Sequence, residues 1–169
     1  MNRFRHWLWI YTAIATVATL LLLVQVTSRV SYAQSDRSFH ANLRLIQTGP
    51  PVPDPARCAG SDVLVSLAGA GSATRLGPVS ASGSHCIQDD PASIPFTAGM
   101  LVLSGRRGDL FIEYEGTDIG GTLNGTFRIT GGTGDYVGAF GSGVLTGTAS
   151  AEEERGVGRL TGRITIPEE

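Results

Sequence analysis

From Gly49 to the C-terminus, no stretch free of both glycine and proline is longer than eight residues. A typical helix needs about eight to twenty residues without such interruptions, so an all-α fold is excluded. All 23 Gly and all 8 Pro of the 169-residue chain lie beyond residue 33, so its character changes sharply there. The length suits one domain. Lys is absent, and past Ala33 ten Arg face 15 acidic residues, a net of −5. A nucleic-acid footprint would be basic and clustered, which argues against DNA or RNA as a partner.

The first 33 residues read as an address. Arg3 and Arg5 give a positive start, Trp7 to Val26 carries no charge, and Ser31-Tyr32-Ala33 places small residues at the −3 and −1 positions of a signal-peptidase site. The expectation is an N-terminal signal helix cleaved after Ala33. Its alternative is an uncleaved membrane anchor, since about twenty apolar residues can span a bilayer. Either way the domain at 34–169 is exported, as secreted, periplasmic or cell-surface protein, and it meets a membrane only through residues 1–33 if they are retained.

Export makes sense of Cys58 and Cys86, an even pair in an oxidising compartment. A disulfide between them would close a loop rich in Gly, Pro and Ser. The functional alternatives are a reactive thiol or a metal site, but neither Cys has a second ligand at metal spacing. His85 is adjacent to Cys86, and neighbours on a strand point to opposite faces. No metal and no cofactor are expected.

The domain reads as short strands separated by glycine-rich turns. Leu43 and Leu45 alternate with Asn42 and Arg44; Val63, Val65 and Leu67 with Asp62, Leu64 and Ser66; Leu110, Ile112 and Tyr114 with Phe111, Glu113 and Glu115. Phe127 and Ile129 alternate with Thr126, Arg128 and Thr130, and Leu160, Ile164 and Ile166 with Thr161, Arg163 and Thr165. Period two is the signature of strands with one buried face. Met100–Leu103 is a continuous apolar run, and weaker candidates near Ser72–Ser80, Tyr136–Phe140 and Val144–Ser150 bring the count to eight or nine. Regular spacing without helices points to a sandwich or a closed antiparallel barrel. Gly49–Pro55 reads as a proline-rich connector, Asp89–Pro95 as an exposed loop, and Glu152–Glu154 as the polar tip of the last hairpin.

The most distinctive stretch is Gly131-Gly-Thr-Gly-Asp-Tyr-Val-Gly-Ala-Phe-Gly141. Gly132-Thr-Gly134 looks like part of a dinucleotide loop, but such a loop must open a helix, and Gly138, Gly141 and Gly143 forbid one. The physical reading is a tight structural turn at Gly131, Gly132, Thr133 and Gly134, in which glycine permits positive φ. The stretch resembles the Gly-Gly-Thr-Gly-(Lys/Arg)-Phe-x-x-Ala-x-Gly signature of dirigent proteins and the related allene oxide cyclase barrels. Asp135 stands where a basic residue is usual, and Tyr136 takes the aromatic place. Gly108-Asp109-Leu110 and Glu113-Tyr-Glu-Gly116 are similar to the preceding strands of that group. The resemblance implies an all-β fold, an eight-stranded antiparallel β-barrel with a mainly apolar cavity. Plant members are often trimers, which leaves a homo-oligomer open here. Their catalytic acids and arginines match no positions in this chain, so no catalytic residue carries over.

Other patterns have plain readings. Arg107-Gly-Asp109 spells an adhesion tripeptide, but Gly-Asp is ordinary hairpin chemistry. Glu113 and Glu115 share a strand face as glycosidase carboxylates would, and equally as solvated outer residues do. His40 and His85 lack a Gly-x-Ser-x-Gly elbow to serve. Asn124-Gly-Thr126 is a formal glycosylation acceptor, and Asn-Gly is first a turn. The expectation is therefore a disulfide-stapled barrel, not catalytic, that binds a small apolar or aromatic ligand or serves as a stable surface module. The alternative is a dirigent- or cyclase-like enzyme that confines a reactive substrate. Tyr114, Phe127 and Arg128 are the candidates to face the interior and touch a ligand.

Overall fold

The computed structural model describes residues 35–59, 62–88, 93–150 and 153–167. The segment read as a leader and its cleavage position lie outside them. Nine strands follow in chain order: β1 Ser35–Gln47, β2 Val52–Pro53, β3 Val63–Ala73, β4 Gly77–Ile87, β5 Ile94–Gly105, β6 Gly108–Ile119, β7 Thr122–Gly132, β8 Phe140–Ser150 and β9 Arg155–Ile166. Among the described residues the helical structure is one 3₁₀ turn, Gly134–Tyr136, and no helix is long and apolar enough to cross a membrane.

Each strand from β3 to β9 pairs antiparallel with the next, β9 pairs with β1, and β1 pairs with β3. Eight strands thus close into a barrel, which removes the unpaired edges an open sheet would expose. β1 covers Leu67–Ala73 of β3, and β2 continues along the same edge through Val52↔Leu64 and Pro53↔Val63. Part of the proline-rich connector is therefore a short strand rather than a free linker. The chain enters where Ser35 pairs with Ile166, so its start and its exit share one end of the barrel.

That end is filled. Phe39, Leu103, Leu110, Ile129 and Ile164 point inward and are fully buried. The rings of Phe39 and Phe127 pack 5.8 Å apart. Phe127 needs the bare backbone of Gly143 beside it, because a Cβ there would fall 2.6 Å from its ring. Tyr136 completes the plug from the 3₁₀ turn, with its hydroxyl donating to the carbonyl of Arg75 at 3.0 Å.

Several expectations are corrected. Ser72–Ser80 is not one strand, because it straddles the β3–β4 turn, where Arg75 takes φ +70° and Leu76 tucks into the core. Tyr136–Phe140 is not one strand: it runs from the end of the 3₁₀ turn at Tyr136 through a turn to the start of β8 at Phe140. Asn124-Gly125 lies inside β7 opposite Thr117 and Gly116; the turn is at Gly120-Gly121, both at positive φ. Ile94 and Pro95 belong to β5, while 89–92 lie outside the described residues. The chain between the two cysteines is chiefly the β3–β4 hairpin.

Candidate functional site

The signature turn builds the closed end. Gly134 has φ +57°, and a Cβ there would lie 2.2 Å from the Arg107 carbonyl, so glycine satisfies both backbone and space. Thr133 clasps Asp109 twice: its N–H donates to the Asp109 carbonyl and its Oγ1 accepts from the Asp109 N–H, each at 2.9 Å. Asp135 donates its N–H to the Arg107 carbonyl at 3.0 Å, and its carboxylate pairs with that guanidinium at 3.2 Å. Gly131 to Gly134 thus lock the β5–β6 turn, Arg107-Gly-Asp109 included, against the plug.

The opposite end is open. A cavity of about 450 Å³ runs into the barrel between apolar walls that include Leu43, Val65, Phe96, Leu101, Leu123 and Leu145. This volume is in the range of sites for small organic ligands. The charged side chains on its lining, Asp118, Glu154 and Arg155, are at the strand ends that form the rim. Asp118 accepts the Gly121 N–H at 2.8 Å, and Arg155 is paired with Glu153 at 3.2 Å. Of the acidic triplet, Glu153 and Glu154 form the β8–β9 turn, and Glu152 lies outside the described residues.

Deeper in, two polar side chains meet. His85 on β4 and Tyr114 on β6 reach across β5, with Nδ1 and the phenolic oxygen 2.8 Å apart. The rings are edge to face at 5.7 Å, and Phe96 packs on both, 5.6 Å from His85 and 6.0 Å from Tyr114. Burial, helped by the charge of Arg57, holds the imidazole down at about 4, so it is neutral at physiological pH. Burial pushes the Tyr114 phenol above its ordinary value, against a smaller opposing effect of Arg57. Two neutral partners share one hydrogen bond and keep one hydrogen to spare. It sits on Nε2 when Tyr114 donates, and on the phenol when Nδ1 donates.

The wall behind this pair is braced from outside. Cys58 and Cys86 form a disulfide. Cys86 points outward from β4 beside the inward His85, as strand alternation requires. The disulfide fastens the segment after β2 to the barrel, where Arg57 donates to the carbonyls of Ser84 at 3.0 Å and Ala98 at 2.6 Å. Ala98, at φ +48°, lies at the β5 irregularity between Phe96 and Gly99.

Of the three residues expected to face the interior, Tyr114 lines the cavity and Phe127 is buried in the core below it. Arg128 is a correction: alternation after Phe127 turns it outward, where it is exposed and paired with Glu113 at 2.7 Å. It lines a depression on the outer wall with Arg57, Met100, Glu113 and Glu115. His85 and Arg57 went unrecognised as parts of a site. Their one sequence signal was their position beside the two cysteines. Among the described residues, no group of three or more His, Cys, Asp or Glu side chains could hold a metal ion.

The fold and cavity define a class: a closed eight-stranded antiparallel barrel, plugged at one end and hollow at the other. Neither a protein-family model nor a curated protein matches the chain. Among solved structures it is similar to a pterocarpan synthase dirigent protein, at 12% identity and TM-score 0.50, over 83% of this chain and 94% of that one. At that identity the likeness is one of fold, and the barrel is dirigent-like.

Proposed function

We propose that this protein is an exported barrel that binds a small apolar or aromatic molecule in its open cavity, without catalysing its conversion. The observation that carries this reading is the apolar shaft of about 450 Å³, whose charged groups are confined to the rim. Acid–base chemistry would call for a charged or readily titrated group at depth, whereas the deep polar pair is neutral, its two members bonded to each other. The disulfide supports export, since such bonds persist in oxidising compartments. So does the charge-free run from Trp7 to Val26 behind Arg3 and Arg5.

The test is native mass spectrometry of the undenatured protein, followed by titration with an environment-sensitive apolar dye. A co-purifying small molecule lost on unfolding, or saturable dye binding abolished by Leu145→Trp, is the expected result. An apo mass, with dye binding unaffected by the bulky substitution, would refute the reading in favour of a surface module. The second reading, a cyclase-like enzyme, draws on the similar solved protein being a synthase. It requires turnover of a bound compound, visible as a product mass.

A further inference from the structure

The cavity's walls and its deep polar pair say more than that something apolar binds there, and this step rests on the binding reading above. A polar group that faces an apolar shaft is penalised where it lacks a partner. His85 and Tyr114 escape that penalty by bonding to each other at 2.8 Å, yet one N–H or O–H hydrogen remains unused whichever of them donates. The aromatic side of Phe96 packs against both rings and fixes them in place.

Behind this pair stands a cation. Arg57 is held on the outer side of the wall by Ser84 and Ala98, and its charge is felt by both rings. A positive charge beyond a neutral donor strengthens a hydrogen bond to an acceptor that gathers negative charge. It offers an anion no direct contact from inside the shaft. The other deep walls are aliphatic, with Leu101, Leu145 and Leu160 among them.

We infer that the cavity selects a neutral, largely aromatic or apolar molecule with a carbonyl oxygen at its buried end, received by the spare hydrogen of the Tyr114–His85 pair. The carbonyl is the group that fits: an acceptor without a hydrogen of its own, whose dipole the external guanidinium favours. A hydrocarbon of the same shape would leave that hydrogen unpaired. A carboxylate would arrive with a full charge and no ion partner within the shaft.

The experiment compares benzophenone with diphenylmethane, which replaces the carbonyl by a methylene at nearly constant shape. Calorimetric titration of the full-length protein should show the ketone binding roughly five- to tenfold more tightly, the increment of one net hydrogen bond. The infrared carbonyl band of bound benzophenone should shift to lower frequency relative to the ketone in hydrocarbon solvent. Tyr114→Phe, nearly isosteric, and His85→Phe, which keeps an aromatic ring of somewhat larger size, identify the donor: the one that supplies the hydrogen loses both the preference and the shift while retaining diphenylmethane. Equal affinities for the two compounds with no band shift would overturn the carbonyl assignment and leave the cavity reading intact. So would a preference that survives in the double variant Tyr114→Phe/His85→Phe, which leaves neither donor. Failure of both compounds to bind the wild type would remove the binding reading itself, and this inference with it.

Discussion

Replacing His85 with Gln removes the imidazole whose protonation the cavity resists, and the barrel's stability should then lose part of its dependence on pH. The free imidazole titrates at 6.5 and the buried one at about 4. Between those values the unfolded chain carries a proton on His85 that the folded chain does not, so unfolding takes up a proton and stability falls as the solution is acidified. Above 6.5 both states are neutral and the group adds no slope; below 4 both are protonated and the loss is complete. The interval of 2.5, from 6.5 to 4, corresponds at about 1.4 kcal/mol per pH unit to about 3.5 kcal/mol. Because the cavity opens to solvent, screening brings the expected loss down to about 2 kcal/mol.

The assay is calorimetric melting of the wild type and His85→Gln from pH 7.5 to pH 4. For a domain of this size, about 2 kcal/mol moves the midpoint by roughly 6–10 °C. The variant should therefore gain that much on the wild type across the window, whatever their difference at neutral pH. Every other ionisable group is present in both proteins and cancels in the comparison. The Tyr114 phenol facing His85 does not interfere, since burial pushes it up and it stays protonated throughout. A difference that holds constant from pH 7.5 to pH 4, or the His85 imidazole resonance titrating near 6.5, would refute the burial argument.

Three further outcomes follow from the geometry. Tyr136→Phe removes the bond to the Arg75 carbonyl and should cost about 1 kcal/mol in urea unfolding, whereas Tyr136→Ala unplugs the closed end and should cost about 3–5 kcal/mol. Replacing Cys58 and Cys86 together by Ala frees a loop closed across 28 residues and should lower stability by about 3–4 kcal/mol. The segment after β2 should become the first site of limited proteolysis. Gly158→Val adds methyl groups where a Cβ meets nothing within 4 Å, so melting should show a gain of about 1 kcal/mol while dye binding weakens.

Strands whose inward residues are bulky were legible in the sequence, because burial and alternation coincide there: Leu110, Ile112 and Tyr114 in β6 are the plainest case. β4 was hidden because its inward face includes Ala81 and Gly83 and its outward face Ser80, Ser82 and Ser84, so apolar periodicity is nearly silent. Its place is fixed by neighbouring strands rather than by its own pattern. The Asn-Gly pair misled for a related reason: in a closed barrel, glycine inside a strand makes room for close backbone approach as readily as it makes a turn. At Gly125 an added Cβ would lie 2.2 Å from the Glu115 carbonyl. Half of the deep pair, Tyr114, was readable from its strand. His85 was not, because the contact joins residues 29 apart on strands that are not neighbours. The strand order β4-β5-β6 and the curl of the sheet bring them together.

The hollow and the staple belong together. An eight-stranded barrel has an interior that side chains can just fill, and in the closed half they do, through Phe39, Phe127, Tyr136, Ile129 and Ile164. In the open half the lining includes Ala149, Gly156 and Gly158 where aliphatics could stand, and a cavity remains. Apolar contacts that would otherwise tie those strand ends to one another are missing there. The disulfide lies in this half: Cys86 is one residue from His85, and the segment leading to Cys58 brings Pro51 to the cavity lining and Arg57 to the outer wall. A covalent link stabilises chiefly by restricting the unfolded chain, so it strengthens the open half without occupying it. The barrel can thus keep a hollow and hold its shape, with side-chain packing at one end and a cross-link at the other.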